Sequence, residues 1–481
     1  MQMVGRLGIL VRHGCRGVPG ASADVLSEDP YMSRRVVSRR SAFLAAAVLS
    51  AATLLAPSAA LGTGGDEAKL VETRVKSLGK IEGRHVPLIS PQGDRLAYVQ
   101  VLPDKKCQVF CDGKAEASAY KSVLAIPNPW WGMRFSPDGK RLAYMASRGR
   151  GNIFVCDGTE QVAGSAGGGL MFAFSPDGKH VAWVGSRQEG GNSFMMLDGE
   201  RLDWGIPSGL PIFSPDSRHL AFPARFGGDV CVVCDGRKGP TFDDVGPPAF
   251  SPDGRRLAYA VCQKDLWYVT CGRAREGPYS EVGDLFFSPD GQALAHRARR
   301  GKKWFVACDG KTGAAFDVVT DPVFAPKGRH LAYAASEHNA WSVIHDGKEG
   351  TVFNTVSTVV FSLDGEHLAY HATRDGKTFL VCDGKECEPP GAVTWVGFSP
   401  DGAHLAFVTT RGAEKLIVCD GVEGPAHAEV LVPERFADVP GKLRCVAVDK
   451  AAEGPGNDAW LVEIDWPAGR TWEDMFKPKA E

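Results

Sequence analysis

The chain has 481 residues, with 55 Lys and Arg against 57 Asp and Glu and a formal net charge of −2. That balance supplies neither the basic surface that nucleic acid requires nor a field that would hold a charged membrane, so no nucleic-acid partner is expected. With 57 Gly and 31 Pro the chain should be rich in turns.

Residues 1–31 resemble neither a signal nor a domain. A signal peptide starts close to its arginines, so Met32 is the expected true start and 1–31 an untranslated or disordered extension. Any peptide from 1–31 in the native protein, found by mass spectrometry, would contradict this. Residues 32–60 read as a secretory signal peptide: Arg34, Arg35, Arg39 and Arg40 precede the uncharged run 42–55, then Ser58-Ala59-Ala60. Ser38-Arg39-Arg40-Ser41-Ala42-Phe43-Leu44 resembles the twin-arginine export signal with one extra residue before Phe-Leu. The apolar run is 14 residues long, short of the roughly 20 that span a bilayer, so cleavage is expected and no stable membrane span after it. Residues 61–70 form a linker.

From 71 to 466 the chain repeats. Nine copies of a Phe-Ser-Pro-Asp-Gly-x-x-Leu-Ala-Tyr pattern occur, among them Phe135-Ser136-Pro137-Asp138-Gly139 and Phe250-Ser251-Pro252-Asp253-Gly254, with looser copies from Ile89 and Phe324. Ser first, Pro second with its fixed φ, and Gly fourth match a type I turn closed by a residue that tolerates positive φ, hence a tight hairpin. About a dozen residues later an apolar run ends in Cys-Asp-Gly, at Cys111, Cys156, Cys234, Cys308, Cys382 and Cys419. Asp-Gly between apolar runs predicts a second hairpin. The unit is four short strands, and from Ser214 to Ser399 it recurs every 37 residues. In Trp304-Phe305-Val306-Ala307-Cys308 neither alternate set is polar, so the sheet must be covered on both faces, as neighbouring blades would cover it.

The predicted fold is therefore all-β: a single large β-propeller of four-stranded blades, nine clear repeats plus a degenerate tenth. In the tenth, residues 443–449 and 460–465 stand for the two middle strands. Eight or nine closed blades with an appended hairpin is the fallback. Residues 72–78 should complete the last sheet by pairing with the C-terminal hairpin. Residues 467–481 form a tail, with a helical turn over 472–478.

Of the 13 cysteines, the six before Asp-Gly read as small buried hydrophobes. Cys231 and Cys234 have CxxC spacing but lie in a strand, where residues three apart face opposite sides, which argues against a metal pair. A local bridge, Cys262 with Cys271 or Cys382 with Cys387, stays open. His180, His219, His330, His367 and His404 share one repeat position with Arg95, Arg141 and Arg256, and read as solvated turn residues rather than ligands of one shared metal. No His-Glu-x-x-His, Walker or Rossmann pattern occurs, and Ala163-Gly164-Ser165-Ala166-Gly167 lacks the helix that a nucleophile elbow requires. No catalytic residue, metal or cofactor is assigned.

The recurrent Phe-Ser-Pro-Asp-Gly-Lys-Arg-Leu-Ala-Tyr resembles the WD40-like, or TolB-like, β-propeller repeat (PD40) family of bacterial exported proteins. The resemblance implies a periplasmic or secreted interaction platform. The expected function is a monomeric, non-enzymatic propeller that binds an envelope or extracellular protein, peptide or glycan. The alternative is a lyase or hydrolase acting on a polysaccharide in the central channel. Candidate binding residues lie three or four places before the Phe of the turn motif, at the start of the innermost strand: Trp131, Asp284, Asp321, Thr358 and Trp395. Acids beside aromatic faces suit a sugar or a cationic peptide group.

Overall fold

A computed structural model describes residues 70–477 except 82–87, 117, 124–131, 150, 166–170, 187–191, 358, 433–440 and 451–456. The extension, the signal segment and nearly all of the linker lie outside the described residues. Ten antiparallel sheets form a ring, so the chain is a β-propeller of ten blades. Blades one to nine cover residues 88–115, 122–165, 172–202, 206–242, 244–279, 281–312, 318–349, 355–387 and 393–427. The tenth takes Glu429–Leu431, Lys442–Lys450 and Asn457–Asp465 from the C-terminal end, and Glu72–Ile81 as its outermost strand.

Each blade interface carries its own core, ten in all. Strand alternation produces this directly. In the second strand of blade two, Leu142, Tyr144 and Ala146 pack toward blade one, while Ala143 and Met145 pack toward blade three. That is why neither alternate set is polar. The closing core joins Leu78 of the N-terminal strand and Val446, Val448, Ala459 and Leu461 of blade ten to Leu96 and Tyr98 of blade one. The N-terminal strand runs antiparallel to Asn457–Asp465, from Glu72 opposite Ile464 to Ile81 opposite Asn457, as the sequence predicts.

The turns follow from the motif. Gly139 N donates to Ser136 O at 2.8 Å, and Gly139 takes φ +70°. The buried Ser136 hydroxyl donates to Asp138 at 2.6 Å and accepts Arg141 N at 2.9 Å. Ser251 makes the same pair of bonds, to Asp253 at 2.5 Å and from Arg256 N at 2.9 Å. Ser251→Ala should lower stability by about 1–3 kcal/mol, since it leaves a backbone N–H short of its acceptor; urea unfolding measures this, and an unchanged midpoint would contradict it. The Asp-Gly turns are type I′, as at Asp157 (φ +50°) and Gly158 (φ +74°).

The innermost strands are less regular. In blades four, five and seven the strand breaks at Pro211, Pro247-Pro248 and Pro322, which have no N–H to give to the ladder. In blade seven the Thr320 hydroxyl accepts Ala334 N at 3.0 Å, and in blade eight Ser357 accepts His371 N at 3.0 Å, so side chains repair the ladder there. Blades six and nine keep the strand continuous but bulged, between Val282 and Leu285 and between Val393 and Trp395. After the last blade, a 3-10 helix over Trp472–Phe476 buries Trp472 in the core between blades eight and nine. No helix among the described residues is long and apolar enough to cross a membrane.

Candidate binding site

The histidines after the turn motif are not simply solvated; this corrects the sequence expectation. His180, His219, His330 and His367 each place Nδ1 2.6–2.7 Å from the Asp of the following Asp-Gly turn, at Asp198, Asp235, Asp346 and Asp383. The other oxygen of that Asp accepts the N–H that opens the second strand, for instance Leu220 N at 2.9 Å. Arg141 does the same work by donating to Asp157 at 2.8 Å and reaching Lys179 O of the next blade at 2.7 Å. His180 and His219 also stack 6.5 and 6.3 Å from Phe213 and Phe250 of the next blade. These are brackets between hairpins and between blades. Beneath Trp466, His404 bonds Asp420, and burial pushes that carboxyl up despite its hydrogen bonds.

Of the candidate binding residues, Trp131 and Thr358 lie outside the described residues. Asp284, Asp321 and Trp395 occupy one place on the innermost strands of blades six, seven and nine, at the bulge or break. In blade six the strand opens at Glu281, so Asp284 falls near its middle rather than at its mouth. Trp395 packs against the core between blades nine and ten. Asp321 lies 3.0 Å from Arg297 Nε of blade six, both largely buried. Arg297 runs past Gly283, where a Cβ would meet its side chain at 2.5 Å. Sequence reading missed Arg297; the signal was a cation in a row of the second strand that elsewhere holds Met145, Val184, Ala260 or Ala334.

The structure builds a different cleft, open and about 590 Å3, where the ring closes. Glu72 and Arg74 enter from the N-terminal strand, Pro425, Ala426 and His427 from the outer strand of blade nine, and Asp449, Lys450, Asp458 and Trp460 from blade ten. The buried His427 sits between two carboxylates, Nε2 2.9 Å from Glu72 and Nδ1 2.8 Å from Asp449. With a carboxylate at each nitrogen, the ring donates to both when it is the imidazolium. Arg74 donates to Asp449 at 2.5 Å and lies 5.2 Å over the Trp460 ring. The wall is thus one indole face backed by a guanidinium, with charges of both signs around it.

Burial alone would lower the pKa of His427, but its hydrogen bonds with Glu72 and Asp449 outweigh that and leave it raised. Its stabilising effect is therefore complete below the ordinary value of 6.5 and fades as pH rises through the raised value. His427→Gln should remove this part of the pH dependence, so unfolding midpoints of the variant should fall less than those of the wild type on going from pH 6 to pH 9. An equal fall in both would contradict the assignment.

The cysteines of the described residues are all free, including Cys262, Cys271, Cys382 and Cys387. Cys231 and Cys234 do face opposite sides, in the cores on either flank of blade four. Burial pushes Cys111 and Cys156 up to about 12, and Cys234 and Cys308 up to about 11, so these thiols stay protonated.

No family model matches the chain, and no curated protein matches it. Among solved structures, the chain is similar to a eukaryotic initiation factor at 13% identity, covering 69% of this chain and 95% of that one with a TM-score of 0.43. It is similar to a TolB of Agrobacterium tumefaciens at 15% identity, 46% and 89% coverage and a TM-score of 0.27. A third is the β-propeller domain of the Trilobed protease from Pyrococcus furiosus, at 13% identity, 54% and 94% coverage and a TM-score of 0.31. The likeness is one of fold, and what the chain is rests on its own ten-bladed ring.

Proposed function

We propose that the chain is an exported, non-enzymatic propeller of the WD40-like, TolB-like repeat kind, binding a protein, peptide or glycan in the periplasm or outside the cell. The closure cleft supports this reading best. It offers the Trp460 ring, Lys450 and Asp458 around a volume of about 590 Å3, beside the Arg74–Asp449 ion pair. Such a wall suits a charged peptide segment or a charged sugar, whose flat faces stack while its ionic groups find partners of either sign. The channel row is the poorer receptor, because Asp321 and Arg297 are largely buried against each other, whereas the closure cleft is open.

Screening the mature chain against arrays of charged glycans and peptides tests this. For a ligand so found, Trp460→Ala with Asp458→Asn should weaken binding at least tenfold. Asp284→Ala with Asp321→Ala should leave it unchanged. The reverse pattern would move the site to the channel row, and turnover of a polysaccharide in the same screen would overturn the non-enzymatic reading.

A further inference from the structure

Blade seven departs from its sisters at one place on this rim. Where six blades read Cys-Asp-Gly, it reads His345-Asp346-Gly347, and the bracket residue facing that turn is His330. A cysteine here is short, whereas the imidazole of His345 reaches to within 3.7 Å of the turn carboxylate. His330 Nδ1 lies 2.6 Å from Asp346 Oδ2, and His345 Nε2 lies 3.7 Å from the same oxygen. The two rings meet edge to face with centroids 5.8 Å apart, and His345 is fixed from its other side by Phe361 at 5.6 Å. His345 Nε2 is itself buried and finds no hydrogen-bond partner. A buried, partnerless imidazole nitrogen is costly unless something else occupies it.

We propose that His330, His345 and Asp346 form a site for a divalent first-row transition ion of the zinc class. Two imidazoles and one carboxylate are the donor set such ions favour, with Zn–N and Zn–O bonds near 2.0–2.2 Å. A tetrahedral ion with those bonds keeps its donors roughly 3.3 Å apart, between the 2.6 and 3.7 Å seen here. Replacing the His330 hydrogen bond by a shared ion would bring the spacing into range. Asp346 Oδ1 keeps its bond from Leu331 N at 2.9 Å, which orients the carboxylate. Glu366, on the turn of blade eight, adds negative charge toward His330. His330 is exposed, so a fourth donor would come from water or a ligand atom.

Among the described residues one other group of three donors comes as close, Asp317, Glu337 and His338. There the Lys303 ammonium already lies between the two carboxylates, 2.9 Å from Asp317 and bonded to Glu337. That group is neutralised by its own cation; the blade-seven group has no such counter-ion among its contacts.

Calorimetric titration of the metal-stripped full chain with zinc chloride, and with cobalt chloride followed by its visible spectrum, tests the proposal. One equivalent should bind, and the cobalt complex should show the intense bands of a four-coordinate ion. His330→Arg restores the bracket residue of blades one, two and five and so should fold, yet it should weaken binding at least tenfold; His345→Ala should do the same. His219→Arg, the same change in blade four, should have no effect. Failure to bind an equivalent, or equal loss on His219→Arg, would overturn the site.

Discussion

Deleting residues 71–81 should cost about 5–10 kcal/mol of stability, because it removes Leu78 from the closing core and leaves His427 without Glu72. Each part can be separated. Leu78 is 1% exposed, so Leu78→Ala alone should cost about 2–5 kcal/mol. Glu72→Gln should add a loss of its own, for the imidazolium would then keep one carboxylate instead of two. Urea unfolding followed by tryptophan fluorescence reads all three variants, and a midpoint unmoved by the deletion would show that the strand is not part of the cooperative unit.

Acidification should destabilise the protein through His296. This residue stands where most repeats place Tyr or another aromatic, such as Tyr259 or Phe222, and it is fully buried with neither ring nitrogen hydrogen-bonded. Tyr279 meets it edge to face at 5.6 Å. Burial pushes its pKa down to about 4 from 6.5. Below 6.5 the unfolded chain takes up a proton that the folded chain refuses, so stability falls as pH drops toward 4 and is complete above 6.5. The gap corresponds to about 3 kcal/mol lost between pH 7 and pH 4. His296→Phe keeps the volume, removes both polar nitrogens and should be more stable at every pH, most of all near pH 4 to 5. If the variant and the wild type fall in parallel on acidification, His296 is not the group responsible.

Much of the ring is legible from short stretches, because local sterics write them. Ser-Pro-Asp-Gly and Asp-Gly each prescribe a turn through φ values that few other residues accept, and the strands between them have no freedom but to alternate. The N-terminal strand was legible for a different reason: a propeller must close, and residues 72–78 stood where the missing strand had to be. What escaped was pairing at a distance. Nothing near His180 signals Asp198 as its partner, because the two meet only when successive hairpins fold together. The Arg297–Asp321 pair and the Glu72–His427–Asp449 set join different blades or the two ends of the chain, with no spacing to betray them. His345 was legible in principle: comparing repeats column by column shows an imidazole where cysteine recurs.

Closure by the first strand also imposes an order on synthesis. Glu72–Ile81 leaves the ribosome before any blade, yet its partner Asn457–Asp465 is made only after all nine of them. Through all of that time nine blades can stack on one another, as their interfaces join neighbours in sequence. The tenth cannot. A nascent or prematurely terminated chain would therefore be an open arc with an uncovered apolar face at each end, Leu96 and Tyr98 on blade one and Val408 and Ile417 on blade nine, suited to packing on another such arc. Completion of the final hairpin is the event that turns an aggregation-prone arc into a ring.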